Sequence, residues 1–235
     1  MTTFNNDRVL LITGASTGIG AATAQQAVAA GFRVALAARS KAKLDRLVSE
    51  LGGAEHALAL ECDVAEWDSQ HQMVTDVLAA WGRIDVVFAN AGIAKGSLYY
   101  GGDDTPNEWR EMILTNVFGP AVTARLTLPE LVKNKGHFLI TGSVAGRVLN
   151  TQSLYSATKW GITGMTHSMR QQLVGTGVRV TLIAPGKVET PFWTEMPSDP
   201  MLQADDVARA VLYAVSQPDH VDVNEILIRP VGQQI

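Results

Sequence analysis

Tyr155 and Lys159 stand four residues apart, so on a helix their side chains share one face. The stripe they begin continues through Ile162, Thr166, Met169 and Leu173, which points it inward. A lysine on an inward stripe is costly unless it is paired or used. An ammonium beside a phenol favours the phenolate and draws the tyrosine pKa down from about 10 toward working pH. A general acid/base that handles an alcohol proton needs that property. The alternative is a structural tyrosine beside a lysine that snorkels to the surface. Ser143 comes twelve residues before Tyr155 and follows the apolar run His137 to Ile140. A hydroxyl at a strand end can hydrogen-bond a substrate oxygen as negative charge develops there. A serine after glycine is also an ordinary turn residue. Asn116 lies on a stripe with Trp109, Met112 and Ile113, where a buried amide must be satisfied and a structural role stays open.

These residues need a scaffold, and the chain supplies an alternating one. Apolar runs at 9–13, 33–38, 57–61, 85–89, 137–141, 178–183 and 225–229 read as strands. Helical patterns fill the gaps, among them about 20–30 and 41–51. Such alternation predicts an α/β fold: a doubly wound sheet of about seven parallel strands with helices on both faces. Thr105-Pro106-Asn107-Glu108 fits a capping box that starts a long helix through Asn116. The Pro-punctuated segment 190–201 has no clear period. With no linker, charge block or repeat, residues 1–235 are expected to form a single domain.

Thr13-Gly14-Ala15-Ser16-Thr17-Gly18-Ile19-Gly20 falls where the first strand meets the first helix. Glycines there permit a tight turn, and the helix N-terminus offers N–H groups to a phosphate. A glycine-rich turn without a ligand is the alternative. Thr-Gly-x-x-x-Gly-x-Gly after a first strand resembles the cofactor motif of the short-chain dehydrogenases/reductases. The resemblance extends over nearly the whole chain, through Asp63-Val64, Asn90-Ala91-Gly92, Asn116, Ser143, Tyr155-x-x-x-Lys159 and Pro185-Gly186. It implies a Rossmann-type oxidoreductase that moves hydride between a nicotinamide cofactor and an alcohol or carbonyl.

By that resemblance Tyr155 is the general acid/base, Lys159 lowers its pKa, Ser143 polarises the carbonyl, and Asn116 helps hold a water in a proton relay. The cofactor would meet Gly14, Ser16, Thr17, Gly18, Ile19 and Gly20 at the glycine turn. Asp63 and Val64 would border the adenine, although Asp63 is equally a candidate helix N-cap. Asn90, Ala91 and Gly92 would line the adenosine side, and Pro185, Gly186, Val188 and Thr190 would face the nicotinamide. Ala89 stands where many relatives carry a second asparagine, which implies a missing strand-bracing hydrogen bond. The end of the second strand reads Ala38-Arg39-Ser40 and holds no acidic residue. An acid there suits a ribose hydroxyl and a cation a 2′-phosphate. Arg39, with Ser40 as a second donor, therefore predicts NADP(H), unless Arg39 simply faces solvent.

Substrate choice is less legible. Segments 93–102, 144–154 and 190–201 should wall the pocket, with Val144, Phe192 and Trp193 beside Ser143 and Tyr155. The last segment resembles the family's mobile lid, and its aromatics either favour an apolar or aromatic carbonyl or merely pack the lid onto the core. Lys95 and Arg147 are candidate partners for an anionic substrate or simply solvated cations.

Composition sets the outer bounds. The 235 residues carry 19 basic and 23 acidic side chains, a formal charge of −4 that argues against nucleic-acid binding. A single cysteine, Cys62, excludes an intrachain disulfide framework, and the five histidines form no metal-binding motif, so no metal is expected. Residues 1–8 lack the apolar stretch of a signal peptide, and no window is apolar for the ~20 residues of a membrane helix. The expectation is a cytoplasmic NADP-dependent carbonyl reductase, or alcohol dehydrogenase in reverse. Its partner is a small carbonyl or alcohol substrate, and the resemblance implies a homodimer or homotetramer. The competing expectation is a catalytically silent NADP(H)-binding sensor or scaffold.

Overall fold

A computed structural model of the chain describes residues 7–95, 99–148, 153–193 and 196–233. Most of the expected N-terminal stretch, and parts of all three expected pocket walls, lie outside the described residues. Seven strands form one parallel sheet: β1 (Val9–Thr13), β2 (Arg33–Ala38), β3 (Ala57–Glu61), β4 (Val86–Ala89), β5 (His137–Thr141), β6 (Arg179–Pro185) and, last in the chain, β9 (Glu225–Ile228). Their spatial order is β3-β2-β1-β4-β5-β6-β9. The crossovers run out from β1 in one direction and then the other, so the crevice at the C-terminal ends of β1 and β4 is a topological switch point.

The strands are apolar on both sides because helices cover both faces. On one face Leu10, Ile12, Val34, Leu36 and Phe88 pack under α1 (Gly18–Ala29), α2 (Lys41–Glu50) and α7 (Ala204–Ser216). On the other, Leu11, Ala35, Val87, Phe138 and Ile140 pack under α3 (Trp67–Trp81), α5 (Gly119–Asn134) and α6 (Leu154–Gln172). Successive strand residues thus feed opposite layers, as a period of two requires.

Local chemistry sets several boundaries. Helix α4 (Pro106–Ile113) begins at the anticipated capping box, with Thr105 and Glu108 satisfying each other's backbone N–H groups. The helix expected to run on through Asn116 does so with a change of winding. Leu114–Phe118 forms a π turn, in which the Gly119 N–H reaches back to the Leu114 carbonyl, before α5 resumes. Helix α1 starts at Gly18 rather than Gly20, β4 starts at Val86, and β6 runs from Arg179 through Pro185. Asp85 is spent ahead of β4, where its carboxylate accepts from Val9 N and pairs with Arg83 at 2.7 Å. A two-residue parallel pair, β7 (Val188–Glu189) and β8 (Leu202–Gln203), brackets the segment 190–201. Among the described residues no helix is long and apolar enough to cross a membrane.

Candidate active site

A cavity of about 840 Å³ opens at the switch point. Its floor is the turn from β1 to α1. Gly14 and Gly18 take φ values of +66° and +56°, the left-handed region that glycine enters without penalty. A Cβ on Gly14 would lie 2.8 Å from Ala91 Cα, and one on Gly20 would collide with the Gly14 carbonyl oxygen. Gly20 therefore lies behind the lining and lets the turn close, whereas Gly14, Ser16, Thr17, Gly18 and Ile19 face the cavity. Thr17 caps α1 without a side-chain bond, and no acidic residue occupies the first turn. The N-terminal N–H groups and their positive potential are left for an anion.

One asparagine ties the neighbouring strand ends together. Asn90 Nδ2 donates to the Thr13 and Gly14 carbonyls at 3.2 and 3.3 Å, and Asn90 Oδ1 accepts from Thr141 Oγ1 at 3.1 Å. The ends of β1, β4 and β5 are thereby braced from position 90, while Ala89 is buried in the strand. Ala91, Gly92, Pro185, Gly186, Val188 and Thr190 complete this part of the lining. Thr190 comes from the segment beyond β7 and packs against Gly18.

At the far end are Arg39, Ser40, Asp63 and Val64. Ser40 caps α2 with its hydroxyl unspent, and Lys43 joins the lining from the first turn of that helix. Asp63 is not a helix N-cap: its Oδ1 accepts from Ala65 N at 2.9 Å in a local turn, and Glu66 caps α3. The Arg39 guanidinium is mostly exposed and lies 3.4 Å from Glu111 of α4. The other Glu111 oxygen is 3.7 Å from Lys95. Lys43 and Glu111 carried no motif; a lysine one turn inside α2 was a weak signal, and the glutamate gave none.

Ser143, Tyr155 and Lys159 converge at the opposite end. Ser143 Oγ accepts from Ala145 N at 3.1 Å and hydrogen-bonds the Tyr155 phenol. Lys159 is 4% exposed; its Nζ donates to the Thr141 carbonyl at 2.9 Å and lies 5.7 Å from the Tyr155 ring centre. Burial pushes the phenol up to about 12, against the Ser143 hydrogen bond, and pulls the lysine down to about 8. The expected lowering of the Tyr155 pKa by Lys159 is therefore not found: loss of water around the phenol outweighs it. At neutral pH the lysine still carries most of its charge.

Asn116 is buried behind the lining. Its Oδ1 accepts from Ile93 N at 2.9 Å, and its Nδ2 donates to the Ile93 carbonyl at 2.8 Å and to Thr158 Oγ1. The amide thus pins the chain leaving Gly92 to the helix that carries Tyr155. Val144, Phe192 and Trp193 line the cavity beside the phenol, with the Phe192 ring 5.9 Å from that of Tyr155. Trp193 Nε1 donates to the Val188 carbonyl at 2.8 Å, which folds the segment inward. Gln233, near the C-terminus, reaches the Lys187 N–H and closes over Gly186.

Sheet order, glycine turn and a long cavity across the switch point define a Rossmann-type nucleotide-binding protein. The chain belongs to the short-chain dehydrogenase family, whose model matches residues 8–200. An uncharacterized oxidoreductase of Staphylococcus aureus is 35% identical over 229 residues, covering 96% of this chain and 98% of the relative. An alcohol dehydrogenase from the archaeon Thermococcus sibiricus, solved with 5-hydroxy-NADP, superposes with a TM-score of 0.89 at 31% identity, covering 97% of this chain and 98% of that one. A metagenomic short-chain oxidoreductase in complex with NADP gives 0.82 at 33% identity, with the same coverage.

Proposed function

We propose that the protein is an NADP(H)-dependent carbonyl reductase, or alcohol dehydrogenase in reverse, formed by residues 1–235 as one domain. The observation that carries the reading is the convergence of Ser143, Tyr155 and buried Lys159 on one end of a cavity whose other end presents Arg39 and Ser40. The glycine turn and the uncapped N-terminus of α1 fit a pyrophosphate, and Arg39, Ser40 and Lys43 fit a 2′-phosphate. NADP is also the ligand of both solved relatives described above in some form. When bound, the nicotinamide supplies or accepts the hydride.

The chain's own groups manage the proton. Ser143 donates toward the substrate oxygen and restrains the negative charge that develops there. Tyr155 delivers its phenolic proton to that oxygen in reduction, or removes it from the alcohol in oxidation. Lys159, fixed by the Thr141 carbonyl, holds positive charge near the phenolate that results. Asn116 acts as a positioning residue that fixes Ile93 at the cavity wall. Exposed Phe118 and Trp160, on packed neighbouring elements, support a homodimer or homotetramer.

The test is NADPH oxidation over a panel of aldehydes and ketones, with Tyr155→Phe as control. The wild type should turn over and the variant should lose at least about a hundredfold. If both are equally inert while both bind NADPH, the protein is a cofactor-binding sensor instead.

A further inference from the structure

The cations nearest the reacting groups are already engaged. The three segments expected to wall the substrate end, 93–102, 144–154 and 190–201, contain two basic residues in the sequence, Lys95 and Arg147. Lys95 is paired with Glu111 at 3.7 Å. Arg147 turns to the edge of the sheet, where Nε and Nη2 grip the two oxygens of Glu225 at 2.5 and 2.6 Å. Lys187, which also lines the cavity, is paired with Asp199 from the third segment. Lys159 is bound to the Thr141 carbonyl beneath the phenol. An incoming carboxylate or phosphate would have to displace a carboxylate from one of these pairs or lose its hydration unpaired, and burial of an unpaired charge is strongly unfavourable.

What the site offers instead is apolar and aromatic. Phe192 lies against Tyr155 and meets Trp193 edge to face at 5.7 Å. The Trp193 N–H is spent on Val188, so the indole presents carbon. Ile93, Val148 and Pro191 extend the same surface.

We infer that the substrate is an uncharged carbonyl compound with an apolar, preferably aromatic body, and that anionic carbonyls are excluded because carboxylates of this chain hold the nearby cations. The inference rests on the carbonyl-reductase reading for its reaction but not for its binding chemistry. The experiment compares benzaldehyde with 4-carboxybenzaldehyde as substrates with NADPH. It also compares benzyl alcohol with 4-(hydroxymethyl)benzoate as ligands of the protein–NADP+ complex, followed by tryptophan fluorescence.

Benzaldehyde should lead in kcat/KM by about 30-fold or more, and benzyl alcohol should bind at least about tenfold tighter. Asp199→Asn, which frees Lys187 on the cavity wall, should raise kcat/KM for the carboxylated aldehyde about tenfold and leave benzaldehyde within about twofold. Equal or better use or binding of the anionic member overturns the inference, as does an unchanged ratio in Asp199→Asn or failure of both alcohols to bind. Selective binding of benzyl alcohol without turnover of either aldehyde upholds it and discards the reductase reading.

Discussion

Replacing Lys159 with methionine should stabilise the folded protein at neutral pH while it destroys activity. The lysine is 4% exposed, and burial lowers its pKa from 10.5 to about 8. Each pKa unit is worth about 1.4 kcal/mol, so holding the ammonium in this position costs about 3 kcal/mol. Methionine fills similar volume without charge, but it leaves the Thr141 carbonyl without its donor, a loss of about 1 kcal/mol. The net gain is about 2 kcal/mol, or about 4–8 °C in Tm for a chain of this size.

The pH dependence carries the proof. Below about 8 the lysine is protonated in both folded and unfolded chains, and the cost is present in full. Between about 8 and 10.5 the unfolded chain binds the proton and the folded one does not, so wild-type stability rises with pH and the advantage of methionine fades. Tyr155 contributes the opposite slope, because its folded value of about 12 lies above the usual 10, and stability falls only beyond pH 10. Thermal unfolding of wild type, Lys159→Met and Tyr155→Phe from pH 6.5 to 9.5 separates the two. A Lys159→Met protein that melts below wild type at pH 6.5, or a difference that is flat to pH 9.5, refutes the reasoning.

The cofactor end and the Asn116 brace yield three more expectations. Arg39→Ala should raise the KM for NADPH by about 10–100-fold and leave NADH within about threefold; equal losses in steady-state kinetics would sink the 2′-phosphate assignment. Glu111→Gln should lower the KM for NADPH about threefold, since the carboxylate 3.4 Å from Arg39 opposes a phosphate there; an unchanged KM would show that the pair is inert. Asn116→Ala strands both the N–H and the carbonyl of Ile93, so urea unfolding should show a loss of about 2–4 kcal/mol, and a loss below about 1 kcal/mol would deny its bracing role.

Much of this was legible because the carriers were local. Each main strand is a run of apolar residues bounded by turns, and all seven were readable, four with no end error and three with ends off by at most two residues. Tyr155 and Lys159 share a helix face by spacing alone, while the glycine turn was read as a cofactor loop through the family resemblance. Most of the unread features depend on distant partners. Val188 and Glu189 pair with Leu202 and Gln203, but two residues carry no period to detect. The π turn at Leu114–Phe118 is a change of hydrogen-bond register inside a continuous helical pattern, invisible to the apolar stripe. Arg39 meets Glu111 across 72 positions, and Arg147 meets Glu225 across 78, so neither cation could be assigned a partner from its neighbours in sequence.

The clip between β7 and β8 has an engineering consequence. Val188 with Leu202, and Glu189 with Gln203, hold the two ends of 190–201 side by side, and Gln203 Nε2 fastens to Glu189 at 2.7 Å. Whatever length or composition lies between those ends, the register of β6 and the start of α7 are set outside it. The stretch beyond Trp193 is therefore an exchangeable cassette. Grafts made between positions 193 and 202 can redraw the mouth above Tyr155 while Thr190, Phe192 and Trp193 keep their places in the lining.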